Sequence, residues 1–341
     1  MILPIQPPFL PMEALSVKNI PEGPNWQYEP KWDGFRCLAF RSGDEVMLQS
    51  KSGKSLSRYF PEVVAFLRDL KARMFVLDGE ISVPAQDGVS FDHLLLRIHP
   101  AASRVKKLAA EHPAIFVVFD LLVDQSGKSL VRWPLSRRRL ELEKFSKKYF
   151  KRESLFISPA TRKVSVARRW FQQAGEGLDG VVAKRLDLPY QSAERTGMQK
   201  IKELRTVDCV VGGFRFAHKK KEVGSLLLGL YDDAGLLHHV GFTSSFGSIY
   251  RRDLTSKLKR LIHPPGFTGR APGGPSRWST ERSGEWKPLK PKLVAEVQYD
   301  HFSEGRFRHG TKFLRWRPDK CPKQCSFDQV RKGLRTSLRL L

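Results

Sequence analysis

The residues best suited to chemistry lie in the segment Tyr28-Glu29-Pro30-Lys31-Trp32-Asp33-Gly34-Phe35-Arg36. A lysine placed among such polar groups can act as a nucleophile if burial or neighbouring cations lower the pKa of its amine. Three later lysines could supply that charge: Lys184, Lys200 and Lys202. We therefore expect these like charges to lower the pKa of Lys31. The alternative is a surface ion pair of Lys31 with Asp33 or Glu29, which is usual for a lone exposed lysine.

The tripeptide Lys200-Ile201-Lys202 has the spacing needed to bind an anion. Side chains alternate between the two faces of a β-strand, so both ammonium groups project from one face and Ile201 from the other. Two cations on one face can converge on one phosphate group.

The composition favours a partner with many negative charges. The 341 residues include 60 Lys and Arg against 35 Asp and Glu, a net charge of +25 with a pI of about 10.1. Such an excess attracts polyanions, although any one basic cluster is as consistent with a solvated helix face. No segment has the apolar length to span a bilayer, the N-terminus lacks a secretory signal pattern, and four cysteines indicate a reducing compartment.

The elements that must position these residues fall into two groups. The apolar runs at 37–40 and 46–48, joined by Ser42-Gly43-Asp44, predict a β-hairpin, which places Lys31 just before its first strand. Buried strands are expected at 74–77, 115–122, 181–184 and 209–211, and helices at 61–71, 135–149 and 164–173. After about residue 205, short strands at 225–231, 236–242 and 293–299 with one helix at 249–261 are typical of a small β-barrel. Residues 266–284 predict a loop.

Six short strings, in this order and spacing, resemble the motifs of the covalent nucleotidyltransferases. They are Lys31-Trp32-Asp33-Gly34-Phe35-Arg36, Leu77-Asp78-Gly79-Glu80, Val118-Phe119-Asp120, Asp179-Gly180-Val181-Val182-Ala183-Lys184, Lys200-Ile201-Lys202 and Arg315-Trp316-Arg317-Pro318-Asp319-Lys320. Within that superfamily the chain is most similar to ATP-dependent DNA ligases of the compact bacterial repair type, ligase C and the ligase domain of ligase D. The resemblance covers residues 9–330.

This resemblance implies an α+β fold, with a nucleotidyltransferase (adenylation) domain at residues 1–204 followed by an OB-fold β-barrel domain at 205–341. It also implies a hinge near residues 203–207, about which the barrel swings between two positions.

The resemblance assigns roles to individual residues. Lys31 is the nucleophile that carries AMP, and Phe119 stacks on adenine, although an aromatic residue in a strand is more often part of the core. The remaining expected nucleotide contacts are Glu29, Arg36, Lys51, Glu80, Lys184, Lys200, Lys202, Arg317 and Lys320. Of these, Glu29 would accept a hydrogen bond from the adenine amino group, and Lys51 stands where the family usually has arginine.

The resemblance further implies ATP and Mg²⁺ (or Mn²⁺) as cofactors, with Glu80 and Asp179 as the carboxylates near the metal. The family usually has glutamate at the position of Asp179, and Glu176-Gly177 is an alternative register for this motif. Two strings that end like a P-loop, 53–55 and 127–129, lack the required earlier glycine. Cys321 and Cys325 have no second pair of ligands for zinc.

The predicted function is an ATP-dependent DNA ligase that seals 5′-phosphate/3′-hydroxyl breaks in duplex DNA through a lysyl-AMP intermediate, in DNA repair. The expected partners are nicked or broken duplex DNA and a Ku-like end-binding protein, with no membrane, for a monomer in the bacterial cytoplasm at the nucleoid. The alternatives are an RNA ligase or a capping-type nucleotidyltransferase, and a non-catalytic nucleic-acid scaffold on the same architecture.

Overall fold

The structure, a computed structural model, describes residues 2–331 except 86–87, 151–153, 174–177, 219, 247–250 and 274–284. The described residues form two units, and the boundary between them in the sequence lies between Glu203 and Leu204. Among the described residues, no helix has both the length and the apolar character needed to cross a membrane.

The N-terminal unit contains eleven strands, five α-helices and a 3₁₀ helix (Ser57–Tyr59) within the described residues. The strands are β1 (Leu15–Ser16), β2 (Trp26–Trp32), β3 (Phe35–Ser42), β4 (Glu45–Ser50), β5 (Met74–Ser82), β6 (Pro84–Ala85), β7 (Gly88–Val89), β8 (Ile115–Val123), β9 (Leu155–Ile157), β10 (Leu178–Arg185) and β11 (Met198–Lys202). The helices are α1 (Pro61–Arg68), α2 (Phe91–Leu96), α3 (Ala102–Glu111), α4 (Leu135–Tyr149) and α5 (Val164–Gln172).

A four-stranded sheet in the order β1-β11-β10-β2 carries the predicted nucleophile. Its apolar face packs on α5, which contributes Ala167 and Trp170 to a cluster with Tyr28, Val181 and Ile201. Pro30 fits within β2 because β2 is an edge strand of this sheet, and proline cannot donate a hydrogen bond to a further neighbour. Because α5 covers the apolar face of this sheet, the opposite, polar face is available to form the site.

A five-stranded sheet in the order β4-β3-β5-β8-β9 forms the second layer of the unit. All nine residues of β8 are buried, and helices α1 and α4 contribute side chains such as Val63, Leu67, Leu142 and Phe145 to the core on one side. Gly34 lies in the short link between β2 and β3, where a Cβ would overlap the carbonyl oxygen of Ile81. The absence of a side chain therefore lets the two sheets be joined by a very short connection.

The C-terminal unit is built mainly from antiparallel strands. Its elements are β12 (Arg205–Phe216), β13 (Val223–Tyr231), β14 (Leu237–Thr243), α6 (Arg251–Lys259), β15 (Lys287–Pro288), β16 (Val294–Tyr299), β17 (Phe302–Ser303), β18 (Arg306–Phe307), β19 (Lys312–Trp316) and α7 (Asp328–Arg331).

Five of these strands follow the order β14-β13-β12-β16-β19, and the two ends of this sheet meet. Thr243 forms a parallel bridge with Thr311, the residue before β19, and the Thr311 amide donates a 3.0 Å hydrogen bond to the carbonyl oxygen of Phe242. Joining the two edge strands closes the sheet into a barrel, which removes its exposed edges.

Most sequence-based element predictions are confirmed. The hairpin at 37–48 is β3 and β4, helix 135–149 is α4 with the same ends, and the strands predicted at 74–77, 115–122, 181–184, 209–211 and 225–231 lie inside longer ones. The strands predicted at 236–242 and 293–299 each begin one residue before the observed strand, since β14 begins at Leu237 and β16 at Val294. One placement differs: Lys31 lies inside β2, a strand of the other sheet, rather than in a loop before the hairpin. Residues 249–250 of one predicted helix and 274–284 of the predicted loop lie outside the described residues.

Candidate functional site

The polar face of the four-stranded sheet is fixed by strand register. Lys31 in β2 lies opposite Gly180 in β10, which lies opposite Lys202 in β11. Two residues away along the strands, Glu29 lies opposite Val182, which lies opposite Lys200. Residues that lie opposite each other across a sheet project from the same face, so the register brings the predicted nucleophile and the paired lysines together.

Asp179 reaches this face through a β-bulge. The register of β10 against β2 shifts between Leu178 and Gly180, which leaves Asp179 as the extra residue. Its carboxylate accepts a 2.5 Å hydrogen bond from Lys31 Nζ and lies 3.4 Å from Lys202 Nζ. Bulges often redirect a side chain beside an active site, and here strict alternation would have turned Asp179 away. The alternative register at 176–177 lies outside the described residues.

The pKa of Lys31 is raised because carboxylates lie around its amine, so the lowered pKa predicted from the sequence is wrong. Burial acts to lower the pKa of Lys31, but the negative charges of Asp179, Glu80 and Asp33 outweigh burial and raise it. Lys200 is the lysine whose pKa is lowered, first by burial and then by the positive charges of Lys31 and other cations. In the free protein, therefore, Lys31 is a protonated partner of carboxylates.

Glu29 is almost fully buried, with 1 % of its surface exposed, and it is bound on both carboxylate oxygens. Lys184 Nζ donates to Glu29 Oε2 at 2.8 Å, and Gln27 Nε2 donates to Glu29 Oε1 at 2.9 Å. Lys184 is therefore an ion-pair partner of Glu29 in the free protein. Burial of charge is tolerated here because both partners are hydrogen-bonded.

The five-stranded sheet contributes Arg36 on β3 and Glu80 on β5, which are directly paired across the strands. The Arg36 guanidinium donates two 2.6 Å hydrogen bonds to the buried carboxylate of Asp78. Asp78 also accepts a 2.6 Å hydrogen bond from the hydroxyl of Tyr190, whose pKa is raised by burial and then by the charge of Asp78. Sequence reasoning assigned no role to Asp78 or Tyr190, since neither buried contact has a signal in the local pattern.

Phe119 lies on the wall of the site rather than only in the core. The β5–β8 register shifts so that Asp78 pairs with Asp120 and Gly79 with Val118, which leaves Phe119 as the extra residue of a second bulge. Its ring lies 4.4 Å from the Arg36 guanidinium carbon and 4.3 Å from Lys184 Nζ. Cations over the ring face gain from its quadrupole.

Eight predicted residues line one cleft of about 190 Å³ of water-accessible volume in the N-terminal unit: Glu29, Lys31, Arg36, Lys51, Glu80, Phe119, Lys184 and Lys200. Asp179 and Lys202 contact one another beside Lys31. Lys51 is half exposed and lies 3.0 Å from the carboxylate of Glu13, which also binds Arg195.

The carboxylates beside Lys31 fit a divalent cation. Burial raises the pKa of Glu80 to about 7, while Lys31 and Arg36 act to lower it and the negative charges of Asp33 and Asp179 raise it further. Crowded acidic groups of this kind are ligands that Mg²⁺ prefers, and the ion needs only one or two of them. Glu80 and Asp179 are therefore able to hold a metal at this position.

In the C-terminal unit, Arg317 and Lys320 converge on Asp208 of β12. Arg317 Nη1 lies 3.0 Å and Lys320 Nζ 2.7 Å from Asp208 Oδ2. Arg317 also binds Asp319, and this hydrogen bond lowers the pKa of Asp319 to about 2. Sequence reasoning missed Asp208, whose separation from the last motif by about a hundred residues hides the contact.

Comparisons with known proteins identify the family of this chain. The family model described as "ATP dependent DNA ligase domain" matches residues 11–202, and "ATP dependent DNA ligase C terminal region" matches 219–320. DNA ligase C2 of Mycolicibacterium smegmatis is 45 % identical over 97 % of this chain and 96 % of that protein. DNA ligase C of Mycobacterium tuberculosis is 42 % identical over 99 % and 98 %, respectively.

A solved Lig E DNA ligase has a TM-score of 0.57 with 14 % identity, over 90 % of this chain and 99 % of that one, which shows the fold alone. The family predicted from the motifs is thus confirmed by the sequence matches: the chain belongs to the ATP-dependent DNA ligase family.

Proposed function

We propose that Lys31 is the residue through which this ATP-dependent DNA ligase carries AMP. The neutral amine attacks the α-phosphorus of ATP, an N–P bond forms, and the bond from that phosphorus to the bridging oxygen breaks to release pyrophosphate. An oxygen of the 5′-phosphate at a nick then displaces Lys31. The 3′-hydroxyl finally attacks the activated phosphate and releases AMP.

The observation that carries this proposal is the position of Lys31 in the cleft, within hydrogen-bonding distance of Asp179 and on the face that also holds Lys200 and Lys202. Lys200 and Lys202 offer positive charge to the phosphates, and Phe119 offers a flat ring to the base. Arg36 and Lys51 line the same cleft.

Asp179 and Glu80 would hold Mg²⁺, which when bound supplies positive charge beside the phosphates. A cation held there would weaken the hold of these carboxylates on the Lys31 proton and so favour the neutral amine. In the free protein, the carboxylates that raise the pKa of Lys31 disfavour its neutral form.

We assign residues 1–204 to the adenylation domain and 205–341 to the OB-fold domain, and we propose that Arg317 and Lys320 contact the leaving pyrophosphate when the barrel closes over ATP. Nicked or broken duplex DNA is the substrate, sealed by a monomer at the nucleoid in the cytoplasm. A Ku-like end-binding protein is the proposed partner at double-strand breaks, in keeping with relatives of 30 % identity named as non-homologous end-joining proteins.

Mass spectrometry of the protein incubated with Mg²⁺ and ATP tests the central assignment. The expected result is one added AMP, mapped to Lys31, in wild-type protein and in a Lys144→Ala control, and none in Lys31→Ala. Lys144 suits the control because it is an exposed lysine on α4. Labelled GTP should give no adduct. An AMP adduct on the Lys31→Ala protein would contradict the assignment.

A further inference from the structure

His239, on β14 of the C-terminal unit, is an unusual buried group. Only 8 % of its surface is exposed, and its ring packs edge-on against Phe267 with the centroids 5.4 Å apart. Neither ring nitrogen has a hydrogen-bond partner among the described residues. Buried polar atoms are nearly always paired, so two unsatisfied nitrogens on one ring point to a group that this protein binds.

Three arginines from three different segments act on this ring through their positive charge. Arg215 lies on β12, Arg270 in the segment after α6, and Arg306 on β18. Burial, followed by the positive charges of Arg306, Arg215 and Arg270, lowers the pKa of His239 to about 3. The pKa of Arg270 is itself lowered by burial and by the charge of Arg306. Positive charge from several segments therefore acts on a largely buried, neutral imidazole.

Backbone contacts connect the segments that carry His239, Arg270 and Arg306. The His239 amide donates a 2.8 Å hydrogen bond to the carbonyl oxygen of Arg270. The Arg270 guanidinium donates to the carbonyl oxygens of Glu304 and Gly305, in the turn that leads into Arg306. Gly305 has a φ of +71°, a conformation that glycine adopts most readily. The turn thus ties Arg270 to the β17–β18 hairpin beside His239.

The chemistry of these side chains matches a phosphate group. Guanidinium groups present paired N–H donors that fit phosphate oxygens, and a neutral imidazole can donate one further hydrogen bond. The cations of the last motif are already neutralised, because Arg317 and Lys320 are bound to Asp208. The buried Nε of Arg306, in contrast, has no hydrogen-bond partner among the described residues.

We propose that His239, Arg270 and Arg306 form a phosphate-binding site on the C-terminal unit that receives one backbone phosphate of the DNA substrate. The choice of DNA rests on the proposed function, since free phosphate or pyrophosphate offers the same chemistry. Binding such an anion would satisfy a ring nitrogen of His239 and offset the mutual repulsion of the arginines.

Nuclear magnetic resonance of the full chain with labelled histidine side chains tests the site directly. The protein has nine histidines, and the His239 signal is identified by its low pKa and by its loss in His239→Gln. Nicked duplex DNA is added in one arm and inorganic pyrophosphate in the other. A shift of the His239 signal in either arm supports a phosphate site and identifies its source; no shift in both overturns the proposal.

Binding measurements test the contribution of the arginines. Arg306→Gln should weaken binding of nicked duplex about tenfold, as expected for one lost charged hydrogen-bonding group. It should also reduce the slope of log affinity against log salt concentration by about one. The matched control is Arg252→Gln, which removes the same charge from a side chain that is 89 % exposed and pairs with Glu222.

An Arg306→Gln protein that binds DNA like the Arg252→Gln control would contradict the DNA assignment. This outcome is separate from failure of the proposed function, which is decided by AMP on Lys31 of the wild-type protein. If the wild-type protein is adenylated normally but neither anion shifts the His239 signal, only the proposal of a phosphate site is contradicted.

Discussion

At the scale of single residues, the lysines of the site form ion pairs with neighbouring carboxylates in the free protein. Lys31 is held protonated by Asp179, and Lys184 is held by Glu29, so neither is an available cation before ligands bind. If the proposed function is correct, ATP and metal exchange these contacts for their own. We therefore expect the reactivity of Lys31 to arise in the bound complex, and not from the cluster of lysines in the sequence alone.

Glu80 should destabilise the folded protein at neutral pH. Its pKa is raised from 4.5 to about 7, so the folded state binds a proton that the unfolded state has lost, and stability falls as pH rises between these values. Glu80→Gln removes this cost and should raise the free energy of unfolding by up to about 3 kcal/mol at about pH 8, and by less at about pH 5. Urea unfolding at both pH values measures this change in the free energy of unfolding. Adenylation with Mg²⁺ should decline in Glu80→Gln.

Glu13→Gln is the control with the opposite sign. Hydrogen bonds from Lys51 and Arg195 lower the pKa of Glu13, so its ionised form stabilises the fold above the pKa of the unfolded chain. This variant should be slightly less stable than wild type near neutral pH. Equal effects of the two substitutions would show that the burial of Glu80 carries no cost.

Tyr190 positions Arg36 through Asp78. Tyr190→Phe removes the hydroxyl that donates to Asp78 and that accepts a 3.0 Å hydrogen bond from the Met12 amide. We expect the free energy of unfolding to fall by about 1.5–3 kcal/mol, the usual range for a hydrogen bond to a charged group. Arg36 would also be held less firmly, so the ATP concentration for half-maximal single-turnover adenylation should rise about tenfold, with a smaller change in the maximal rate.

Tyr28→Phe is the control that distinguishes the positioning of Arg36 from a general loss of stability. Tyr28 is also a buried tyrosine of the N-terminal unit, and its hydroxyl donates a 2.7 Å hydrogen bond to the carbonyl oxygen of Pro21 on the opposite face of the sheet. This variant should lose stability without changing the dependence on ATP. The same rise in ATP requirement in both variants would indicate a general loosening of the fold.

At the scale of secondary-structure elements, two bulges complete the site. Asp179 and Phe119 are each the extra residue of a bulge, one on each sheet. The alternation of Lys200 and Lys202 and the extent of α4 could be predicted because they follow regular periods. A bulge leaves no such period in the sequence, so the contact of Asp179 with Lys31, and hence the sign of the Lys31 pKa shift, could not be predicted from spacing.

Gly180 makes the bulge beside Asp179 possible. It has a φ of +138°, and a Cβ there would overlap the carbonyl oxygen of Ile201 on β11. Gly180→Ala should therefore push β10 and β11 apart, lower the free energy of unfolding by about 2–4 kcal/mol, and largely abolish adenylation. Thermal unfolding and the yield of AMP adduct measure the two effects.

Gly43→Ala provides the comparison for backbone strain alone. Gly43 lies in the β3–β4 turn with a φ of +62°, and no atom lies within 4 Å of the position of its missing Cβ. Gly43→Ala should lower the free energy of unfolding by only about 1–2 kcal/mol and leave adenylation intact. A Gly180→Ala protein that matched the Gly43→Ala protein in both measurements would show that the close approach of β10 to β11 is not needed.

At the scale of the whole molecule, positive charge exceeds negative charge by 25, and part of it is neutralised inside each unit. Asp208 binds Arg317 and Lys320, and Asp120 binds the buried Arg138 with two 2.9 Å hydrogen bonds. Counting charges in the sequence predicted a polyanionic partner but could not separate these internal pairs from the surface. The charge left on the surface determines how strongly DNA is attracted.

The two stages of the reaction should therefore respond differently to salt. Each phosphate neutralised by lysine or arginine releases counterions, so DNA affinity should fall by roughly a thousandfold between about 50 and 200 mM salt if about six phosphates are contacted. Formation of the AMP adduct involves a small ligand in a cleft and should change far less. Measuring nick binding and adduct yield in one salt series tests this, with Mg²⁺ and ATP kept saturating. Equal salt dependence of the two stages would mean that the basic surface does not bind the DNA backbone.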